Sequence, residues 1–509
     1  MKYDVIVVGA GAGGSCCAAL LAAAGLKTLL VEKNGYLGGK AGTVEQHGHR
    51  ADLFTHIPVL AMGRFGHLRA ALETLGKAGA MDMVEEMPPT LMCYENTSIV
   101  YPADYEGDAA SLFSRLGMQM DNAGEVALQG ANLFLKTLKG FKAEDLEGMR
   151  DVPLGGLVSS LPRALQDAAD IASLLLFVVS AKYASAGETV EIMQKMVDPA
   201  PYPASGLKEV ADAWMGSLCY PRGGIGRVAE VFAQALRENG GELRLASEVD
   251  RIVVEGGAAK GIQVDGDYCQ AGAVVSNAGI QPTVLKLAGP EHFSRQYLAY
   301  VRSLRPSFGS ARIRYFLDKQ VTPYGLIVPY GGASGEGSRG KERRGDSGAP
   351  EGGGGRRARP ARVGTMIVCP SNFDPDMSPP GKQLLIASCA ATADCRFGVD
   401  EAAEWFKMIH SAVRSVIPDI DEHSEHVDYA TSETIARLSG RYGVVEGAGG
   451  ECIGIAQVPG QVGANRPDPV SPVDGLFYVG ADTGRSGIGV DLAVGSGMDV
   501  ARLVQDYLA

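Results

Sequence analysis

The sequence predicts an α/β fold of more than one domain, and three observations carry that prediction. An apolar run from Tyr3 to Val8 is followed by glycines at 9, 11 and 14, a small-residue stretch from Ser15 to Gly25, and a second apolar run ending at Glu32. This is the order strand, tight turn, helix, strand, with the first strand apolar enough to be buried in a parallel sheet. The chain has 509 residues, well beyond the ~250–300 at which a single core stops growing. Its composition, 46% apolar and 21% charged, is that of a folded globular protein.

Each part of the opening unit has a chemical reading. Gly9 suits the tight turn, Gly11 lets a diphosphate approach the backbone, and Gly14 lets helix and strand touch. The helix N-terminus then offers unpaired N–H groups and the positive end of its dipole to an anion. Glu32 is placed to bind ribose hydroxyls, and its charge disfavours a 2′-phosphate. The stretch therefore reads as a dinucleotide site. Gly38, Gly39 and Lys40 continue it with more N–H groups and a cation.

The net charge of −12 and pI near 5.3 argue against a general nucleic-acid binder. Nine cysteines without a CxxC pair suggest scattered thiols rather than a zinc site or disulfide framework, which fits a reducing compartment. The N-terminal apolar run breaks at Gly9, so it reads as a strand and not a signal peptide. No stretch reaches the ~18 apolar residues of a membrane span. A cytoplasmic protein is expected, with membrane contact limited to its surface.

The continuation from Glu32 to Lys40 resembles the FAD fingerprint of glutathione-reductase-type flavoproteins, in particular the amine oxidase and phytoene desaturase branch. Residues 220–266 read as turn, helix, strand and hairpin and resemble that branch's return to the FAD domain, and 271–279 resembles the completing strand. Residues 465–504 resemble its C-terminal flavin motif, in which a strand delivers Asp482 to the ribityl and pyrophosphate region and a glycine-rich turn starts a helix under the flavin pyrimidine. The resemblance implies a discontinuous Rossmann FAD domain, 1–80, 215–290 and 431–509, with an α+β substrate domain at 81–214 and 291–430. It implies non-covalent FAD held by Gly9, Gly11, Ala12, Gly13, Gly14, Glu32, Lys33, Gly39, Lys40, Val249, Gly480, Asp482, Gly489 and Val490.

Residues 47–58 and 370–385 resemble stretches of the phytoene desaturase, carotenoid isomerase and retinol saturase group. That likeness implies an FAD-dependent oxidoreductase that desaturates, saturates or isomerises carbon–carbon bonds of an elongated apolar, isoprenoid or polyene substrate, hydride passing through flavin N5. Where carotenoid desaturases usually carry His-Pro-Gly-Gly, this chain has Arg485 and Asp491 in a different setting, which suits a substrate with a polar or acidic head. Two alternatives stand beside this reading: an amine-oxidase-like enzyme acting on a carbon–nitrogen bond, and a non-catalytic flavin-holding escort of lipids or proteins.

His56 is the acid–base candidate, or else a histidine bonded within a domain seam. Arg485 and Asp491 orient a substrate head, tune the flavin, or form an ordinary ion pair. Cys452 reads as a buried inert thiol, and the acidic stretch 419–426 as a solvated helix start without a metal. There is no second strand–GxGxxG–helix unit. The redox partner is therefore expected to be a diffusing quinone or oxygen, transient NAD(P)H, or the substrate itself. Residues 333–362 are too polar to bury a backbone and read as a disordered insertion. The mostly apolar 152–198 reads as helical, either buried or forming a lid against a membrane.

Overall fold

The apolar N-terminal run forms the strand Lys2–Val8, paired in parallel with Thr28–Val31 on one side and Asp267–Ser276 on the other. The computed structural model describes residues 2–54, 59–60, 66–84, 86–94, 97–105, 123–160, 166, 170, 173, 179–197, 200–215, 218–330, 365–484 and 486–509. Glu242–Arg244 extends the first sheet beyond Thr28–Val31. Asp267–Ser276 is long enough to take two further partners: its first half pairs with Ala258–Val264 of an antiparallel hairpin, its second half with Leu476–Tyr478 in parallel. Five parallel strands thus come from chain segments hundreds of residues apart.

Three helices cover one face of this sheet. Arg227–Glu238 buries Val228, Val231, Phe232, Ala235 and Leu236, the spacing of a single helical face. The small residues of Ala12–Ala23 are buried almost throughout, between that helix and the C-terminal helix Gly489–Leu508. Small side chains let the last two approach closely. A Cβ on Gly497 would stand 2.7 Å from the Gly13 carbonyl oxygen and 3.0 Å from Cys16 Cβ.

The second sheet runs in the order Ser424–Ala430, Gly309–Leu317, Gln383–Ala391, Met366–Val368, Leu326–Tyr330, Thr90–Tyr94, Thr97–Tyr101. It is antiparallel except between Leu326–Tyr330 and Thr90–Tyr94. Alternation along its strands divides the labour. Ala311, Ile313, Tyr315, Leu385 and Ala387 pack in a core with Ile409 and Val413 of the helix Ala403–Val416, while Ser310, Ser388 and Ala390 point to the other side.

A helical layer has its own core, formed by Leu135 and Leu138 of Ala123–Gly140, Leu146 of Ala143–Gly148, and Val190 and Val197 of Ala186–Val197. Of the apolar 152–198, Leu154–Val158 and Ala186–Val197 are helices, and much of 161–178 lies outside the described residues. The insertion expected at 333–362 lies outside them too. Among the described residues no helix is long and apolar enough to cross a membrane.

One expectation is corrected. Residues 419–426 do not start a helix; they leave the helix Ala403–Val416 through a turn and enter the edge strand Ser424–Ala430. His423 bridges Asp318 and Asp419, which ties the acidic turn to the neighbouring strand end. Among the described residues no group of His, Cys, Asp and Glu is arranged to hold a metal.

Candidate functional site

The parallel strands of the first sheet all point their C-terminal ends at one cavity of about 360 Å³, lined by Val8, Val31, Asn277 and Val479 and the residues that follow them. Strand ends of an α/β sheet are where ligands bind, because loops and helix N-termini converge there. The second sheet closes the opposite side with Gly309, Ser310, Met366, Ser388, Cys389 and Ala390.

The glycine turn is shaped by sterics. Gly9 has φ +97°, and a Cβ on Gly14 would lie 2.1 Å from the Gly9 carbonyl oxygen. Asn277 fills the space that the glycines leave: its Nδ2 donates to the Gly9 carbonyl at 3.2 Å and would be 2.7 Å from a Cβ on Gly11. Glu32 is 5% exposed. Its carboxylate accepts from the Ala10 amide at 2.8 Å and from the amide and side chain of Asn34 at 2.9 and 2.8 Å, which fixes it at the cavity wall.

A buried charge network holds the next part. Lys40 donates to the Glu451 carbonyl at 2.9 Å. Burial, then the nearby Arg441 guanidinium, lower its ammonium pKa to about 8. Arg441 bridges the carboxylates of Glu451 and, at 3.0 Å, Asp482. Burial alone would raise the Asp482 carboxyl; Arg441, Lys40 and the amides of Ile455 and Ile280 outweigh it and hold the pKa below its ordinary value.

The last wall is the start of the helix Gly489–Leu508, where Gly489, Val490 and Ala493 line the cavity. Of the residues expected to hold a cofactor, Gly9, Gly11, Ala12, Gly13, Glu32, Lys33, Gly39, Lys40, Val249, Gly480, Asp482, Gly489 and Val490 line this one cavity. Gly14 lies behind it, under the turn. Asp491 is not on its wall; the carboxylate accepts the His67 amide at 3.2 Å and pairs with His67 Nδ1 at 2.9 Å. His56 and Arg485 lie outside the described residues.

Comparison with known proteins follows the same division. A family described as "NAD(P)-binding Rossmann-like domain" matches residues 7–75. A second, "Flavin containing amine oxidoreductase", matches 208–505, more than half of the chain. The chain belongs to this flavin-containing family. Curated relatives include the chloroplastic prolycopene isomerase of Daucus carota, 25% identical over 308 residues, 58% of this chain and 49% of that protein. Another is the neurosporene-forming phytoene desaturase of Cereibacter sphaeroides, 25% identical over 60% of this chain and 58% of that one. The chain thus spans about half the length of the curated relatives it matches. An oxidoreductase structure from Methanosarcina mazei superposes with TM-score 0.67 at 19% identity, covering 99% of this chain and 100% of that one. Cyclohexylamine oxidase from Brevibacterium oxydans gives 0.60 at 13% identity, covering 99% of each. These solved structures share the fold.

The cofactor of such a chain is FAD, and the cavity's chemistry fits it. Glycines at 11 and 13 leave a cradle that a Cβ would crowd against Asn277 and the Ala493 carbonyl. The Lys40 ammonium and the N-terminus of the helix Ala12–Ala23 suit a diphosphate, while Glu32 offers an acceptor to ribose hydroxyls. Val31, Val249, Pro282 and Leu287 give an apolar surface for a flat ring. Sequence reasoning missed Arg441, Glu451 and Asn277. An arginine among the glycines of 440–450 was a visible signal, but nothing in the spacing tied it to Asp482.

Proposed function

We propose that this protein is an FAD-dependent oxidoreductase acting on carbon–carbon bonds of an elongated apolar substrate of isoprenoid or polyene type. The observation that carries the reading is the uncharged wall on the second-sheet side of the cavity. Gly309, Ser310, Met366, Ser388, Cys389 and Ala390 present small or apolar groups there, and Phe54 is the single aromatic among the described lining residues. Such a wall offers an amine neither a carboxylate nor a pair of rings, whereas it accepts a hydrocarbon without a desolvation penalty. Relatives named prolycopene isomerase and phytoene desaturase support the same substrate class.

Bound FAD supplies two-electron chemistry, with hydride exchanged at N5. The chain's own residues orient and isolate. In this reading the first-sheet segments and the second-sheet segments are two domains, a cofactor half and a substrate half, each entered more than once by the chain. Lys40 and the N-terminus of the helix Ala12–Ala23 would meet the diphosphate, Arg441 would hold Asp482 in place beside it, Glu32 would take the ribose, and the second sheet would exclude water from the reacting carbons. His56 or solvent handles the accompanying proton. A quinone, oxygen or NAD(P)H serves as redox partner, and membrane contact is at the surface.

Lipid extraction of the purified holoprotein, followed by mass spectrometry, tests the substrate class. A co-purifying isoprenoid is expected. Flavin that is reduced under anaerobic conditions by simple amines, but neither oxidised nor reduced by any polyene, would overturn the assignment.

A further inference from the structure

We propose that Glu188 and Gln457 are positioning residues that clamp the turn preceding the C-terminal helix and so set where that helix meets the flavin. The turn brings Gly480, Ala481 and Asp482 to the cavity at one end and Ile488, Gly489 and Val490 at the other. It contains glycines at 484, 487 and 489 with φ of +97°, +151° and +56°. A chain segment of this kind has little rigidity of its own, so its placement depends on outside contacts.

Both backbone polar groups of Gly487 are taken by side chains from elsewhere. Its N–H donates to Glu188 Oε1 at 2.9 Å, and its carbonyl accepts from Gln457 Nε2 at 2.6 Å. Glu188 is 1% and Gln457 3% exposed. Glu188 stands on the helix Ala186–Val197, and its other oxygen accepts from Arg150 Nη1 at 2.6 Å. Arg466 Nη2 lies 3.9 Å from Glu188 Oε1, while Arg466 Nη1 donates to the Ala481 carbonyl at 3.0 Å. One buried ion cluster therefore touches the turn at both ends. The main-chain carbonyl of Gln457 in turn accepts from the Ser185 amide at 2.9 Å, which joins the two arms of the clamp.

Burying three charges is costly, and a hydrophobic replacement of similar volume is often as stable. A role in holding geometry accounts for what stability alone does not. The inference rests on the flavin reading of this cavity: a displaced helix N-terminus stabilises less negative charge at the pyrimidine end of the ring.

The test uses purified holoprotein and four variants: Glu188→Ala, Glu188→Gln, Gln457→Met and Gly487→Ala. The readouts are FAD dissociation constant, visible spectrum and midpoint potential of the bound flavin. Glu188→Ala and Gln457→Met are expected to weaken FAD about tenfold, the effect of one lost buried hydrogen bond, to shift the spectrum and to lower the potential. Glu188→Gln keeps one accepting oxygen for Gly487 but turns an amide N–H donor toward Arg150, so its spectrum is expected to fall between wild type and Glu188→Ala. Gln457→Met removes no charge, so it decides the question even if Glu188→Ala does not fold. Wild-type spectrum and potential in Gln457→Met, with Gly487→Ala altered, would show that the turn matters and the clamp does not. An unaltered Gly487→Ala would instead remove the flavin from this turn, and the proposal with it.

Discussion

Lys40 is a buried ammonium whose charge depends on what occupies the cavity. Without a bound anion, burial and Arg441, opposed by the carboxylates of Glu451 and Asp482, bring its pKa to about 8. A diphosphate favours the charged form, so binding takes up a proton wherever the free protein has lost one. Below pH 8 the FAD dissociation constant should be flat. Above 8 it should rise, approaching about tenfold per pH unit, until the pKa of the complex is reached. Fluorescence titration of apoprotein across pH 8 measures this, and Lys40→Arg should flatten the profile because a guanidinium stays charged. A wild-type profile with no bend near 8 would remove Lys40 from the diphosphate. Cys452 gives a second residue-scale prediction. Burial, opposed by Lys40, pushes its thiol up to about 12, and a protonated thiol is a poor nucleophile. Acid precipitation should therefore leave all the yellow colour in the supernatant; colour in the pellet would mean a covalent link.

The crossing of the helices Ala12–Ala23 and Gly489–Leu508 joins the two ends of the chain, and glycines set its distance. Gly497→Ala places a Cβ 2.7 Å from the Gly13 carbonyl oxygen, and overpacking of that kind costs about 1–3 kcal/mol. Thermal or urea unfolding at saturating FAD should show the loss, with Gly497→Val worse. Gly130→Ala is the comparison: nothing lies within 4 Å of the new carbon in the helix Ala123–Gly140, so stability should hold or rise. The small residues of the first helix were legible in the sequence as a sign of close packing. Their use was only half legible, because composition states that a helix can approach closely but not what it approaches. The edge strand Ser424–Ala430 was misread for a related reason. Residues Glu425, His426 and Val427 are all exposed there, so no alternation of apolar and polar residues announces a strand. Arg312 and Arg314, buried on the adjacent strand, pair with Asp428, a contact made across the sheet and invisible along the chain.

At the scale of the molecule, the legible parts are those in which backbone geometry demands a residue type. Gly9, Gly11 and Gly14 declare a turn, and Glu32 declares the end of a strand. The wall formed by Ser310, Met366 and Ser388 declares nothing, since any small or apolar side chain serves there. Arg441 and Glu451 compensate each other in space and leave no periodic mark. These differences bear on what FAD does for the fold. The cavity draws its walls from residues 8–54, 247–287, 309–310, 366–390, 438–453 and 479–493, so bound FAD would add contacts among segments that the first sheet and the Lys40–Glu451–Arg441–Asp482 network already join. Anything that binds the folded state alone stabilises it, by about 2.7 kcal/mol at a hundred times the dissociation constant. Stripping FAD should lower the melting temperature and make it depend on added FAD. Hydrogen exchange should speed up most in 438–453 and 480–490. In 438–453 the buried charges of Arg441 and Glu451, beside Lys40, would be left without the diphosphate, and the 480–490 turn would keep only protein contacts, the clamp at Gly487 and the bonds to Asp482. Helix Ala403–Val416, which packs away from the cavity in its own core, should change least. An apoprotein that melts where the holoprotein does, with 438–453 equally protected, would show that these segments are ordered by protein contacts alone.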